Sequence, residues 1–274
     1  MTKLRRSEST ARVAALLAAV ALAVIVASCG HRITGKAAST TASSPAATAT
    51  STTSTLAPAA PVTGPHLPPF TPSANVGADC RYPPAADSGK SAAAPTTGKI
   101  PTEPAQIGLT IVTNQGRIGL QLANNESPCT VNSFVSLAQQ AYFDNTECHR
   151  LTTSQALSVL QCGDPKGDGT GGPGYQFANE YPTDQYPPGD PALGQPVVYP
   201  RGAVAMANAG PGTNGSQFFM VYRDSLLPPA YTVFGTIEAA GLTILDKVAA
   251  AGVSGGGEDG TPATEVTITS ARLD

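Results

Sequence analysis

Tryptophan is absent from this 274-residue chain and aromatic residues make up only 5% of it, so any core is expected to be small and aliphatic. Charge is sparse as well: Asp, Glu, Lys and Arg together reach 13%, and the formal net charge is −3. No strong field exists to attract nucleic acid or an anionic membrane surface, and nucleic acid is not expected as a partner. Histidine occurs three times. His31 and His66 sit in low-complexity sequence without neighbouring Cys or carboxylate clusters, so no metal site is expected there. His149 is the sole histidine of the part expected to fold. With no GxSxG turn, that inventory excludes a serine hydrolase, and a thiol nucleophile would lack an activating partner. Nothing implies a cofactor.

Long apolar runs are also missing, with one exception. Lys3, Arg5, Arg6 and Arg12 precede an apolar run from Val13 to Val26, which fits a secretory signal over 1–28 and is short of the ~20 residues a bilayer crossing wants. The run ends Val26-Ala27-Ser28-Cys29-Gly30, which resembles a bacterial lipobox. That resemblance implies lipidation at Cys29 and attachment to the outer face of the cell membrane, or secretion, with the alternative of an uncleaved anchor.

Residues 29–102 are Ala, Ser, Thr, Pro and Gly with few large apolar side chains. Such a stretch cannot bury enough surface to offset its chain entropy, so it is read as a disordered tether, with Ser and Thr available to O-linked sugars. The folded part is expected over 103–274. Ile107 to Thr113 and Arg117 to Leu122 read as a hairpin around Asn114-Gln115-Gly116. Ser127-Pro128 starts a helix carrying Val131, Phe134, Leu137, Ala138 and Ala141 on one stripe. Strand-like runs follow at Cys148 to Leu151, Leu157 to Cys162, Val204 to Met206, Phe218 to Tyr222 and Thr232 to Ile237. A second helix is expected over Leu242 to Ala250 before Gly252, and a last strand over Val266 to Leu273. Many short strands with two helices indicate a mainly β antiparallel barrel or sandwich.

With Cys29 set aside, Cys80, Cys129, Cys148 and Cys162 remain, an even number for an oxidising compartment. Cys148 and Cys162 lie near the base of two strands around Thr152 to Gln155, so a Cys148–Cys162 bond is favoured, leaving Cys80–Cys129. Their spacings match no zinc pattern. Gly167 to Gly172 satisfies GxGxxG, but Pro165 before it and Pro173 after it leave no helix to hold a pyrophosphate, and a dinucleotide site is rejected. Asp164 and Asp168 lack the further oxygen ligands a cation loop needs.

The most informative stretch is Gly202 to Tyr222, GAVAMANAGPGTNGSQFFMVY. Two apolar runs flank a polar loop, Ala207 and Ala209 leave room above the backbone, and Asn208 offers a donor and an acceptor. Phe218 and Phe219 point to opposite faces of one strand, so one enters the core and the other can floor a surface pocket. Together they suit an extended peptide.

The run Met206 to Phe219 resembles the signature of the cyclophilins, the cyclosporin-binding peptidyl-prolyl cis-trans isomerases. The resemblance covers roughly Glu103 to Asp274 and implies a closed eight-stranded antiparallel barrel with a helix over each end, binding its ligand outside. It also implies isomerisation of Xaa-Pro bonds in unfolded or folding proteins, a reaction that needs no covalent intermediate, only a lowered rotation barrier of about 18–20 kcal/mol. Arg150 matches the catalytic arginine and would donate to the proline nitrogen. Gln161, in Gln161-Cys162-Gly163-Asp164, would bond substrate backbone and steady the arginine. Phe219 and Leu227 match the proline pocket, Tyr231 stands where histidine is usual, Ala207, Asn208 and Ala209 would bind the residue before proline, Gln217 of the signature belongs to the groove, and Gly169 lines it.

Three departures are visible. More residues than usual separate Arg150 from Gln161, the pocket's Phe and Met positions fall on Ser158 and Val159, and Leu226 replaces the tryptophan that helps bind cyclosporin. The expectation is a working isomerase of exported proteins with a shallower pocket and weak cyclosporin binding. The alternatives are a catalytically weak module or chaperone that holds proline segments on a membrane tether, or a structural lipoprotein.

Overall fold

The computed structural model describes residues 61–86 and 89–274. The signal, Cys29 and the earlier part of the tether lie outside the described residues. No helix among the described residues is long and apolar enough to cross a membrane.

The chain turns back on itself first at β1 (Gln106–Thr113) and β2 (Gly116–Ala123), which pair from Gln106↔Ala123 to Thr113↔Gly116. Gly116 sits at φ 135°, a conformation that favours glycine. Helix α1 (Pro128–Gln139) follows, with proline in its first turn. Ala141 lies beyond the helix at positive φ rather than on its stripe. Ser127 does not cap α1 with its side chain; its hydroxyl donates to the Val233 carbonyl. The cap comes instead from Glu180, whose carboxylate accepts from the Cys129 and Thr130 amides and the Thr130 hydroxyl at 2.6–2.9 Å.

Then come β3 (Thr146–Glu147), β4 (Arg150–Thr152), β5 (Val159–Cys162), β6 (Val197–Tyr199), β7 (Ala203–Met206), β8 (Phe218–Val221), β9 (Ser225–Leu227) and β10 (Val233–Ile237). Helix α2 (Ala239–Ala251), ended by Gly252 at φ 78°, precedes β11 (Asp259–Gly260) and β12 (Thr267–Leu273). One curled antiparallel sheet runs β11-β4-β5-β8-β7-β10-β2-β1-β12-β3, and β6 pairs with β9 apart from it. The architecture is mainly β with two helices.

Strands β7 and β8 are apolar on both faces, and β5 and β10 are so apart from Gln161 and Thr236, because each side of the sheet is largely covered. On one side Leu160, Cys162, Val204, Met206, Phe218, Met220 and Phe234 join the main core. On the other, Val159, Ala203, Ala205, Phe219, Val221 and Val233 form a second cluster with Tyr181, Val197 and Tyr199. The main core is not purely aliphatic: the Phe134 ring lies 4.9 Å from those of Phe143 and Phe234 and 5.2 Å from that of Phe218. Four phenylalanines thus meet at the centre of the main core.

The described part of the expected tether is packed against the domain. Cys80, Tyr82 and Ile100 are buried in the main core, Cys80 is bonded to Cys129 at the start of α1, and the Tyr82 hydroxyl donates to the Cys129 carbonyl. Gln140 bonds both the amide and the carbonyl of Ala93, while Lys90 donates to the Tyr142 carbonyl. Further upstream, Phe70 stacks edge-on against Tyr181 at 5.7 Å and Val198 donates to the Pro65 carbonyl. Composition concealed this because the contacts rest on backbone groups and isolated large residues. The second disulfide, Cys148–Cys162, is formed as expected.

Candidate functional site

In an antiparallel sheet, residues directly opposite one another share a face. The ladder places Arg150 opposite Gln161, Gln161 opposite Phe219, and Phe219 opposite Ala205. A guanidinium, a carboxamide and a phenyl ring therefore stand in one row across β4, β5 and β8. That row borders a notch of about 240 Å³ lined by Arg150, Leu157, Val159, Gln161, Ala207, Asn208, Phe219, Leu227 and Tyr231.

One end of the notch is apolar. Phe219 forms the floor, nearly fully buried, and the Tyr231 ring meets it edge-on at 5.7 Å. Tyr199 supports both from beneath, its hydroxyl bonding the carbonyls of Pro228 and Tyr231 at 3.1 and 2.9 Å. The other end is polar and continuous. Arg150 Nη1 donates to Gln161 Oε1 at 3.3 Å, Gln161 Nε2 to Gln217 Oε1 at 2.9 Å, and Gln217 Nε2 to the carbonyls of Gly169 and Gly171, both at 2.9 Å. Gly171 must be glycine here, since a Cβ would fall 2.0 Å from the Asp164 carboxylate. That carboxylate accepts amide hydrogens from Lys166, Asp168 and Gly169 and so shapes the loop.

Arg150 also pairs with Asp259. Its Nε and Nη2 each donate to the carboxylate at 2.7 Å, which holds the arginine's pKa above its ordinary value and the aspartate's below. His149, beside it, has a buried Nδ1 without a hydrogen-bond partner among the described residues, and burial lowers its pKa.

Beyond Ala207 and Asn208 the groove continues into a second hollow of about 400 Å³, reaching Gly169, Thr170, Ala209 and Gln217. Asn208 is fixed there by donating to the Ala230 carbonyl at 2.9 Å. Ala85 and Ala86, upstream of the expected domain, form part of its wall.

Most residues picked from the sequence thus come together, but two do not. Ser158 is fully buried and does not line the notch: its amide donates to the Ser225 hydroxyl and its own hydroxyl to the Ser154 carbonyl. Its neighbour Val159 faces the notch, so strand alternation turns Ser158 away. Leu226 also misses the notch, since Leu227 on the same strand occupies it; a Cβ on Gly64 would touch the Leu226 side chain at 3.0 Å. Sequence reasoning missed Leu157, which the same alternation from Val159 pointed to, and Asp259, which carries no local signal because it lies 109 positions from Arg150.

Comparison with known proteins places the chain in a family. Residues 108–273 match the family described as cyclophilin type peptidyl-prolyl cis-trans isomerase/CLD. A protein of Mycobacterium tuberculosis named "probable peptidyl-prolyl cis-trans isomerase B" is 74% identical over 213 residues, covering 77% of this chain and 69% of the relative. The Mycobacterium leprae protein of the same name is 68% identical over 209 residues, 76% of this chain and 71% of its own length. The crystal structure of a cyclophilin type peptidyl-prolyl cis-trans isomerase of Cryptosporidium parvum superposes with a TM-score of 0.49 at 28% identity, covering 62% of this chain and 98% of its own. The chain belongs to the cyclophilin-type peptidyl-prolyl cis-trans isomerases.

Proposed function

We propose that this isomerase acts on Xaa-Pro bonds of proteins folding outside the cytoplasm, with Arg150 as the catalytic group. The single observation that carries the assignment is the row Arg150, Gln161, Phe219 beside the notch. A proline ring seated on Phe219, between Leu227, Tyr231 and Val159, has its nitrogen facing the guanidinium. Amide resonance makes the C–N rotation slow, and a charged donor aimed at the nitrogen as it pyramidalises stabilises the twisted state more than either planar one. No proton is transferred and no bond is made. Asn208, Ala207 and Ala209 take the segment before proline, Gln161 and Gln217 bond its backbone, and Gly169 borders its path.

Export rests on the basic start, the apolar run to Val26 and the lipobox-like end at Cys29, with acyl chains holding the protein on the outer membrane face; each buried CH₂ contributes about 0.8 kcal/mol. The two disulfides suit an oxidising compartment. Full closure of the sheet into the family's barrel, a helix over each end, is also proposed: β3, at one end of the strand order, is separated from β4, next to the other end, by Cys148 and His149 alone.

Leu157 and Val159 give the notch an aliphatic wall. Weak cyclosporin binding is expected because the notch lining holds Leu157, Val159 and Leu227 and no tryptophan, so a large aromatic contact is lost; a tight complex by calorimetry would refute it. Exchange spectroscopy on a Xaa-Pro peptide, with wild type and Arg150→Ala, tests the catalytic reading. Accelerated exchange lost in the variant supports it. Binding without acceleration makes the domain a proline-segment holder.

A further inference from the structure

We propose that Asp259 is a positioning residue for the isomerisation: its carboxylate fixes the plane of the Arg150 guanidinium so that the remaining N–H groups face the proline notch. The inference rests on the role assigned to Arg150 above.

Arginine has five N–H donors in a rigid planar fork. Asp259 takes one on Nε and one on Nη2, at 2.7 Å each, and Gln161 takes one on Nη1 at 3.3 Å. One N–H on each terminal nitrogen is left. Held by Gln161 alone, through a single long bond, the guanidinium could swing about its last side-chain torsions. The bidentate pair removes that freedom, and an aimed donor is worth far more than a mobile one because misplacement by about 1 Å costs on the order of a hundredfold in rate.

The aspartate is itself held by the fold. It lies in β11, opposite Thr152 on β4, and Thr152 shares a face with Arg150 two residues away. Diagonal neighbours in a ladder are about 7–8 Å apart, within reach of an arginine. The amide of Thr153 donates to the Glu258 carbonyl at 2.8 Å and pins the residue before Asp259. The loop from Gly252 is closed by Ser254 donating to the Thr261 carbonyl and Ala263 to that of Gly252, both at 2.8 Å.

A purely stabilising ion pair explains this arrangement poorly. The two side chains are 40% and 54% exposed, and pairs that open to water contribute little to folding. A pair that only dampened the positive charge would slow the reaction, so its removal would raise the rate. Positioning predicts the opposite sign.

The test compares Asp259→Asn, Asp259→Glu and Arg150→Ala with wild type in the full chain. It measures kcat and KM on a Xaa-Pro peptide, the melting temperature, and the Arg150 Nε–H resonance by NMR. Expected for Asp259→Asn are a fall in kcat of about ten- to a hundredfold, KM and melting temperature little changed, and an Nε–H signal that shifts and exchanges faster with water. Asp259→Glu should recover part of the rate and of the signal. Wild-type or increased kcat in Asp259→Asn, while Arg150→Ala is inactive, overturns the role of Asp259 and leaves that of Arg150 standing. An Arg150→Ala variant as fast as wild type overturns both.

Discussion

Phe218 and Phe219 are consecutive on β8 yet belong to different cores: the Phe218 ring lies 5.2 Å from Phe134 inside the main core, and the Phe219 ring 5.7 Å from Tyr231 under the notch. Substituting them should therefore separate stability from catalysis. Phe218→Ala is expected to cost about 3–5 kcal/mol while kcat/KM, measured well below the melting point, stays near wild type. Phe219→Ala is expected to lose most of kcat/KM through weaker binding of the proline ring. Urea unfolding alongside a peptide isomerase assay reads both.

Arg150→Ala should lower kcat by roughly a hundred- to a thousandfold, the usual effect of deleting a preorganised donor, with an unchanged circular dichroism spectrum. Arg150→Lys should not rescue it, because an ammonium cannot span both Asp259 oxygens in a plane and reach Gln161.

Glu180 gives the fold a pH dependence. Burial pushes its carboxyl up to about 7 against the opposing pull of the Thr130 hydroxyl and the Cys129 and Thr130 amides. An acid whose folded pKa is raised favours the folded state most at pH below its unfolded value, and that contribution fades as pH rises through the folded one. Stability should thus fall between about pH 4.5 and 7. Glu180→Gln should flatten that part of the profile, as read by urea midpoints across the range. A slope equal to wild type in the variant would assign it to other groups.

The segment before residue 103 carries weight in the domain. A chain beginning at Glu103 loses Cys80, Tyr82 and Ile100 from the core and frees Cys129. The disulfide alone closes a 49-residue separation, worth about 4 kcal/mol. The shortened chain should unfold at markedly lower urea than one beginning at Pro61, and Cys80→Ala with Cys129→Ala should reproduce part of the difference.

Periodicity exposed the parts of the molecule that depend on near neighbours in sequence. Gly116 marked the first hairpin, Pro128 the start of α1, and Gly252 the end of α2 because each backbone need is local. The run from Met206 to Phe219 located one wall of the notch, and the place of Cys148 and Cys162 near the base of two neighbouring strands pointed to one bond and left Cys80 with Cys129 for the other. What stayed hidden depends on pairing across the sheet. Asp259 reaches Arg150 only through the β4–β11 ladder, and Glu180 reaches α1 from 50 residues away. Ser158 was misplaced by one step of strand alternation. The packing of residues 61–102 was masked because prolines, alanines and serines carry no periodic pattern while their carbonyls and amides still find partners.

The bond between Cys80 and Cys129 also decides how the domain answers a mechanical load. Tension applied upstream of Pro61 can peel away Phe70 and its neighbours, but extension halts at Cys80, where the force passes directly into the first turn of α1. Under oxidising conditions the stretch between those cysteines cannot lengthen, so single-molecule pulling should show an early short release followed by a stiff domain; a reductant should convert the record into one longer contour.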